Sequence, residues 1–148
     1  MSLLILMRHG QSMWNASKLF TGWVDVPLTN VGIDEAIQGG KDIAHLAIDE
    51  VHTSTLIRAQ MTAMLALAQH TGGKTPVFQY TQPEDGVENV SQNEARMIQW
   101  AQINGDQSSD NILPVFVSWQ LNERMYGGLQ GLNKVETVEK HGTQRQFL

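Results

Sequence analysis

Two continuous apolar runs stand out in the pattern of hydrophobic and polar positions. Residues 3–7 are Leu-Leu-Ile-Leu-Met, and residues 113–117 are Leu-Pro-Val-Phe-Val. A continuous apolar run of this length is typical of a strand that is buried on both faces of a parallel sheet. We therefore predict a strand at each run. Pro114 is expected at a strand start or on a sheet edge, because proline cannot donate a hydrogen bond to a ladder.

Between the two runs, apolar residues recur at helical spacing in two segments. Thr29 is a predicted N-cap for a helix that carries its apolar face from Ile33 to Ala47, and a second helix is predicted to start near Thr55. A short strand is predicted around residues 49–54. This alternation of strands and helices predicts an α/β fold with a parallel sheet and right-handed crossovers.

Residues 70–111 differ from the rest in composition. They are rich in Gln, Asn, Ser, Gly and Asp and low in branched aliphatic residues, which favours a polar surface insertion within a single domain of residues 1–148. The capping-box spacing of Ser91 and Glu94 predicts one helix inside this insertion, and Asn133 and Glu136 predict the start of a last helix in the same way.

Composition and charge narrow the function classes. The chain has 148 residues, no cysteine and a formal net charge of −5. The absence of cysteine excludes disulfides, a thiolate nucleophile and cysteine-ligated metal sites. The acidic balance argues against nucleic-acid binding, which depends on clustered Lys and Arg. The first apolar run is too short for a membrane span and has no basic leader, so we expect a cytoplasmic protein without membrane attachment.

The candidate chemistry begins directly after the first apolar run, at Arg8-His9-Gly10. Ligands of open α/β sheets bind at the carboxyl ends of the strands. Arginine neutralises a phosphoryl oxygen, glycine allows close approach of the backbone, and a neutral imidazole is a nucleophile. The triplet at this position suits phosphoryl transfer through His9, although a histidine taken alone more often makes structural hydrogen bonds.

A resemblance to a known family strengthens this interpretation. The chain resembles the cofactor-dependent phosphoglycerate mutases of the histidine phosphatase superfamily over residues 3–67 and 119–142. The motifs that carry the resemblance are LILMRHGQSMWN at 4–15, FTGWVDVPLT at 20–29, GIDEA at 32–36, HTSTLIRA at 52–59 and WQLNERMYGGLQGLNK at 119–134.

The resemblance implies a role for each matching residue. His9 is expected to be the phosphorylated nucleophile, and Glu123 the general acid/base. Arg8 and Arg58 are expected to hold the phosphoryl group, and these four form the implied catalytic set. Arg124, Tyr126 and Lys134 are expected to bind the carboxylate or second phosphate of the substrate. The full implied substrate-binding set is Arg8, Gly10, Gln11, Ser12, Asn15, Thr21, Gly22, Arg58, Glu123, Arg124, Met125, Tyr126 and Lys134.

The resemblance also implies the fold, cofactor and partners. It implies a three-layer, phosphoglycerate-mutase-like α/β fold, a sheet with flanking helices. The implied activity is the glycolytic and gluconeogenic interconversion of 2-phosphoglycerate and 3-phosphoglycerate, three-carbon phosphorylated substrates. The implied phosphoryl donor is 2,3-bisphosphoglycerate, with no metal site, and the implied assembly is a homodimer or larger homo-oligomer.

The sequence departs from the family in two respects. The family's second histidine, in a His-Gly-Asn segment, and its paired arginines are absent from the 148 residues. We therefore expect an incomplete, N-terminal portion of the fold and a chain that is poorly stable or inactive by itself. Two other functions stay open: a histidine-type phosphatase, and a non-catalytic pseudoenzyme that at most binds phosphorylated anions.

Some of the candidate residues also have simpler interpretations. Arg58 taken alone is typical of a surface ion-pair partner, and Glu123 beside Arg124 is compatible with a local salt bridge. Trp23 and Trp119 are expected to pack against loops and not to stack on a ligand.

Overall fold

The computed structural model describes residues 3–80 and 111–141. In this part of the chain it contains four α-helices and three strands, with short 3-10 helices at Trp119–Leu121 and Gly127–Leu129. In chain order the elements are α1 Met13–Ala16, α2 Asn30–Ile43, β1 Val51–Thr53, α3 Ile57–Leu67, β2 Thr75–Tyr80, β3 Ile112–Val117 and α4 Lys134–His141.

The three strands form one parallel sheet in the order β1-β3-β2. Val115 of β3 lies between Val51 of β1 and Phe78 of β2 in the register. The predicted α/β fold with a parallel sheet and flanking helices is therefore confirmed, although the sheet is small. Because all strands are parallel, their carboxyl ends lie at one edge, where the loops that follow β1 and β3 begin.

The second apolar run supplies the centre of the core. Side chains on one face of β3 are almost fully buried: Leu113 is 1% exposed and Val115 is 0% exposed. They pack against Leu67 of α3, with Val51 and Phe78 partly buried around them. This alternation arises because successive side chains of a strand point to opposite faces, and α3 covers one of them.

The expected position of Pro114 is wrong, because β3 is the central strand of the sheet and Pro114 is its third residue. The reason is the difference in length between the neighbouring strands. β1 pairs only with residues 115–117, whereas β2 pairs along all of β3. In the part of the chain that the structure describes, the β1 side of Pro114 therefore has no strand partner and tolerates a residue without an N–H.

Part of the predicted polar insertion is also wrong, since residues 75–80 form β2 and pair with β3. The composition of residues 70–111 is polar when taken as a whole, although it includes a short strand that contains the apolar residues Val77 and Phe78. The helix predicted near Ser91 and Glu94 lies outside the described residues.

The first apolar run does not form the predicted strand. Residues 3–7 have no regular secondary structure, and Leu3, Leu4 and Leu6 are 70%, 79% and 86% exposed. Within residues 3–80 and 111–141 no strand pairs with this run. An apolar run becomes a buried strand only where neighbours satisfy its backbone and cover its faces.

The helices pack closely behind the loop that follows residue 7. Thr29 is confirmed as the N-cap of α2, since its hydroxyl accepts a hydrogen bond from Gly32 N at 3.1 Å. Gly40 of α2 lies so close to α3 that a Cβ there would be 2.5 Å from Ala66 Cα. Among the helices of the described ranges, none has the length and apolar content that crossing a membrane requires.

Candidate active site

The loop that carries His9 is held from its carboxyl side by α2 and α3. Gly10 N donates to Thr62 Oγ1 of α3 at 3.2 Å, and a Cβ on Gly10 would be 2.2 Å from the carbonyl oxygen of Gly32 in α2. The next residue, Gln11, donates its N–H to Glu35 Oε2 at 2.7 Å. The glycine at position 10 is therefore required by a backbone-to-backbone contact that a side chain would block.

Two neighbours determine the tautomer of His9. Its Nδ1 lies 2.8 Å from the carbonyl oxygen of Gly10, which can only accept, so Nδ1 carries the proton. Its Nε2 lies 3.3 Å from Nε of Arg58, which can only donate, so Nε2 presents its lone pair. The imidazole is therefore neutral, and Nε2 is the ring atom whose lone pair can act as a nucleophile.

Electrostatics favour the same protonation state. Burial lowers the pKa of His9 from its ordinary value of 6.5, and the positive charges of Arg58 and Arg8 lower it further. The hydrogen bond to Gly10 and the carboxylate of Glu123 act in the opposite direction without reversing the shift. A lowered pKa keeps the imidazole unprotonated, and so nucleophilic, at neutral pH.

Arg58, in the first turn of α3, is only 1% exposed. Its Nη2 donates to Gly22 O at 2.8 Å and its Nη1 donates to Val24 O at 3.1 Å. Burial lowers the pKa of Arg58, but a guanidinium remains protonated in proteins. Since its bonds go to carbonyls and to an imidazole, its charge is left available to an anion in the site. The surface ion-pair interpretation of Arg58 is therefore wrong.

The start of α3 is organised by a distant carboxylate. The N-cap residue Leu56 has no capping side chain, and Asp25 Oδ1 instead accepts from Ile57 N at 2.7 Å. A carboxylate at this position satisfies a free N–H and interacts favourably with the helix dipole. The loop that accepts the Arg58 guanidinium thus also caps the helix that carries Arg58.

Glu123 lies in an irregular segment, residues 123–126, between the two 3-10 helices. The residue before it, Asn122, accepts two hydrogen bonds from Thr55 through Oδ1, at 3.0 Å from N and 2.9 Å from Oγ1. Glu123 O itself accepts from Trp23 Nε1 at 2.6 Å. The Glu123 carboxylate is 4.0 Å from Arg124 Nε, and both side chains are largely exposed, so the local salt bridge is weak.

These groups surround a cavity of about 60 Å³. This volume exceeds what a single water molecule needs, and it suits a single phosphoryl group. Its wall combines three cations, the His9 imidazole, the Glu123 carboxylate and neutral polar groups. The lining residues are Arg8, His9, Asn15, Thr21, Gly22, Arg58, Glu123, Tyr126 and Lys134.

The remaining predicted binding residues lie outside this lining, although near it in sequence. Gly10 and Gln11 use their N–H groups within the protein, and Ser12 is fully buried as the N-cap of α1. Arg124 lies over the Tyr126 ring, with its guanidinium carbon 5.6 Å from the ring centroid, and Met125 is 64% exposed. Their roles in substrate binding stay predictions.

A larger groove of about 500 Å³ lies elsewhere, between α2, α3 and β2. Its wall is formed by apolar side chains such as Ile33, Met61 and Phe78, together with Gln60. Its lining, within the ranges that the structure describes, contains none of the titratable groups that phosphoryl transfer requires. Among the described residues, there is also no cluster of His, Cys, Asp or Glu that could hold a metal ion.

Sequence reasoning missed the residues that support this site. The sequence predicts that Trp23 only packs against a loop, and its ring does lie near Trp119, with ring centroids 6.3 Å apart. Its indole N–H, however, also donates a hydrogen bond to the carbonyl oxygen of Glu123. Asp25 and Thr62 have no role among the sequence predictions. For Trp23 and Asp25 a signal existed, because both lie within the motif at 20–29, whereas Thr62 lies on a helix face that no motif singles out.

Comparison with known proteins decides the family. Residues 4–82, more than half of the chain, match the family described as Histidine phosphatase superfamily (branch 1). The chain belongs to the histidine phosphatase superfamily. In this superfamily member the matched region includes His9 and Arg58, and Glu123 lies beyond it.

Curated relatives extend the similarity to almost the whole chain. It is 52% identical over 142 residues to the 2,3-bisphosphoglycerate-dependent phosphoglycerate mutase of Protochlamydia amoebophila, covering 96% of this chain and 58% of that protein. It is 49% identical to phosphoglycerate mutase 1 of Arabidopsis thaliana, covering 96% of this chain and 39% of that one. The expected resemblance to these mutases is confirmed, and the chain spans well under two thirds of their length.

Solved structures support the fold. A mycobacterial glucosyl-3-phosphoglycerate phosphatase is similar with a TM-score of 0.60 at 18% identity, over 94% of this chain and 47% of that one. A phosphoglycerate mutase from Bacillus anthracis is similar with a TM-score of 0.58 at 18% identity, over 88% of this chain and 41% of that one. At such identities the likeness concerns the fold alone.

Proposed function

We propose that this chain carries the phosphoryl-transfer site of a phosphoglycerate mutase that interconverts 2-phosphoglycerate and 3-phosphoglycerate through phosphorylated His9. The observation that carries the proposal is the arrangement of His9 Nε2, which faces Arg58 in a cavity that Glu123 also lines. The names of the relatives that are about half identical over 96% of this chain support the same substrates.

The geometry suits attack on phosphorus. In the forward step a bond forms between His9 Nε2 and phosphorus, while the phosphorus–oxygen bond of the donor breaks. Arg8, Arg58 and Lys134 line the cavity and neutralise the negative charge on the phosphoryl oxygens in the transition state. Nδ1 keeps its proton through the bond to Gly10, so the phosphorylated ring needs no proton transfer of its own.

Glu123 handles the proton of the substrate oxygen that leaves or attacks phosphorus. The oxygen that leaves the donor as an alkoxide takes a proton from Glu123, and an attacking substrate hydroxyl returns its proton to the same carboxylate in the reverse direction. Glu123 lines the cavity together with the cations, yet its side chain is 40% exposed, so it can exchange protons with solvent between turnovers.

The residues present fit 2,3-bisphosphoglycerate. A polyanion requires converging cations, and the cavity wall holds Arg8, Arg58 and Lys134. When bound, this cofactor supplies the phosphoryl group that His9 carries. The cavity has room for one phosphoryl group, so the second anionic group of the ligand would lie outside it, on the exposed side where Arg124 lies. The cytoplasmic location, the homo-oligomer and the absence of nucleic-acid partners stay predictions.

The proposal is tested by following labelled phosphate. The purified chain is incubated with ³²P-labelled 2,3-bisphosphoglycerate, and acid-labile label on His9 is measured beside His9→Gln. A chase with 3-phosphoglycerate then reports where the label goes. Label that passes to bisphosphoglycerate and 2-phosphoglycerate supports the mutase, and His9→Gln should remain unlabelled.

The other functions predict different outcomes. Release of the label as inorganic phosphate, without isomerisation of the substrate, would replace the mutase with a phosphatase. Failure of wild-type His9 to take up any label would leave a non-catalytic chain that at most binds anions, and would overturn the proposal.

A further inference from the structure

We propose that Trp23 is a positioning residue, whose indole N–H holds the backbone of Glu123 so that the Glu123 carboxylate stays over the His9 cavity. This inference rests on the proposed function, since it assigns a support to the proposed acid/base group. Its first observation is the hydrogen bond from Trp23 Nε1 to Glu123 O, 2.6 Å long, which joins residues 100 positions apart.

The segment around Glu123 needs such support. Residues 123–126 have no regular secondary structure, and Glu123, Arg124 and Met125 are all exposed. Asn122 anchors the segment on one side through its two bonds from Thr55. The indole bond restrains the backbone of the next residue, Glu123. A backbone fixed at two adjacent residues leaves the carboxylate only its side-chain torsions to explore.

Trp23 is itself held by its own neighbours. Its backbone N donates to Gln130 Oε1 at 3.0 Å, and the carbonyls on either side of it, Gly22 O and Val24 O, both accept from Arg58. Residues 22–24 therefore contact the guanidinium that faces His9 and, through the indole, the backbone of Glu123. One short loop sets the distance between the phosphoryl-binding group and the proposed proton-transfer group.

Packing alone does not account for this arrangement. Trp23 is 39% exposed and Trp119 is 59% exposed. The contact between the two rings therefore buries little apolar surface for two such large side chains. A phenylalanine could keep the tilted ring contact with Trp119. What phenylalanine cannot keep is the directed N–H donor to Glu123 O.

The test follows the pH titration of the His9 ring by NMR, which requires no turnover. The charged groups that face or line the site with His9 are Arg58, Arg8, Glu123 and Lys134. The carboxylate of Glu123 raises the pKa of His9, and the two arginines lower it. Glu123→Gln should therefore lower the pKa of His9. If Trp23 holds the carboxylate in place, Trp23→Phe should lower it as well, and should lower it no further in a Glu123→Gln background.

The sign of the shift separates this role from general support of the loop. A Trp23→Phe variant that merely loosened residues 22–24 would release Arg58, and the pKa of His9 would rise. Trp119→Phe is the matched control, because it alters the same ring pair without removing the bond to Glu123, and it should leave the titration unchanged. A rise in the Trp23→Phe variant, no change in it, or no effect of Glu123→Gln would each overturn the inference.

A second variant covers the case in which Trp23→Phe fails to fold. Replacement of Trp23 by benzothienylalanine keeps the size and shape of the ring and removes only the N–H donor. It should reproduce the shift expected for Trp23→Phe, and the same replacement at Trp119 should not. A wild-type titration for the benzothienylalanine protein would contradict the role of the hydrogen bond.

Turnover supplies an independent measurement if the wild-type chain is active. Removal of the donor should lower kcat by about 10- to 100-fold, because a displaced proton-transfer group costs rate even when substrate still binds. KM should change by less than about threefold, and the loss should vanish in the Glu123→Gln background. If the wild-type chain shows no turnover, the labelling of His9 still decides the proposed function, and the His9 titration decides the role of Trp23.

Discussion

The two apolar runs, residues 3–7 and β3, have similar composition and opposite surroundings. Val115 in β3 is fully buried between two strands and below α3, whereas Leu4 in the first run is 79% exposed and has no strand partner among the described residues. Each run nevertheless precedes a group of the candidate site, His9 after the first and Glu123 after β3.

This difference concerns where each site group obtains its support. Glu123 follows a strand that belongs to the core, and it is then fixed by Trp23 and Asn122. His9 follows an exposed run and is held instead by contacts of Gly10 with α2 and α3. A strand-forming composition therefore allows a segment to be buried, and the packing partners around the segment decide whether it is.

The largest expected effect is the contrast in stability between the two runs. Leu113→Ala should lower the free energy of unfolding by about 2–5 kcal/mol, because Leu113 is 1% exposed in the core. Leu4→Ala is the matched control and should change it by less than about 0.5 kcal/mol, as expected of an exposed side chain. Urea denaturation of both variants measures the difference, and equal losses would show that the first run is packed in solution.

The next effect concerns the contact that holds the His9 loop. Gly10→Ala should lower the free energy of unfolding by about 1–3 kcal/mol, because its Cβ would meet the backbone of Gly32, which cannot rotate away. Gly128→Ala is the control, since no atom of the described residues lies within 4 Å of a Cβ at that position. Thermal unfolding compares the two variants. If they are equally stable, the helices do not hold His9 from its carboxyl side.

A smaller loss is expected from the hydroxyl behind Gly10. Thr62→Val keeps the side-chain shape but leaves Gly10 N without its acceptor, which should cost about 1–2 kcal/mol of the free energy of unfolding. Thr62→Ser retains the hydroxyl and should keep both the bond to Gly10 and the one to Arg58 O. Amide hydrogen exchange at Gly10 measures the bond directly, and unchanged protection in Thr62→Val would contradict it.

The smallest effect is a dependence of stability on pH that comes from His9. Because the folded state lowers the pKa of His9 below its ordinary 6.5, the unfolded chain takes up the proton first as the pH falls. The contribution of His9 to stability is therefore fully present above pH 6.5 and declines as the pH falls below it, toward the folded-state pKa. Denaturation at several pH values should show a steeper decline for wild type than for His9→Gln. Parallel profiles would mean that folding does not lower the pKa of His9, as for a ring that is as exposed to solvent as residues 3–7.

Much of the fold and of the site was accessible from sequence patterns. The helix that begins after Thr29, the short strand near residue 51 and the strand at 113–117 follow from local periodicity and capping preferences. Motifs and a family resemblance are enough to predict three site residues, His9, Arg58 and Glu123. In the structure these residues line one cavity. The burial of Arg58 could not be predicted from the sequence. It depends on hydrogen bonds from its guanidinium to the carbonyl groups of Gly22 and Val24, which are more than 30 positions away in the chain.

The α/β class and the chemical identity of the candidate groups follow from residue type and short-range spacing in the sequence, and the superfamily follows from the resemblance of its motifs to a known family. Only the tertiary structure decided that β3 and not residues 3–7 is buried, that Nε2 of His9 presents the lone pair, and that Trp23 reaches Glu123. The physical reason is that burial, tautomer and hydrogen-bond partner are properties of pairs of groups. The members of such pairs are brought together by packing between segments that are far apart in the chain.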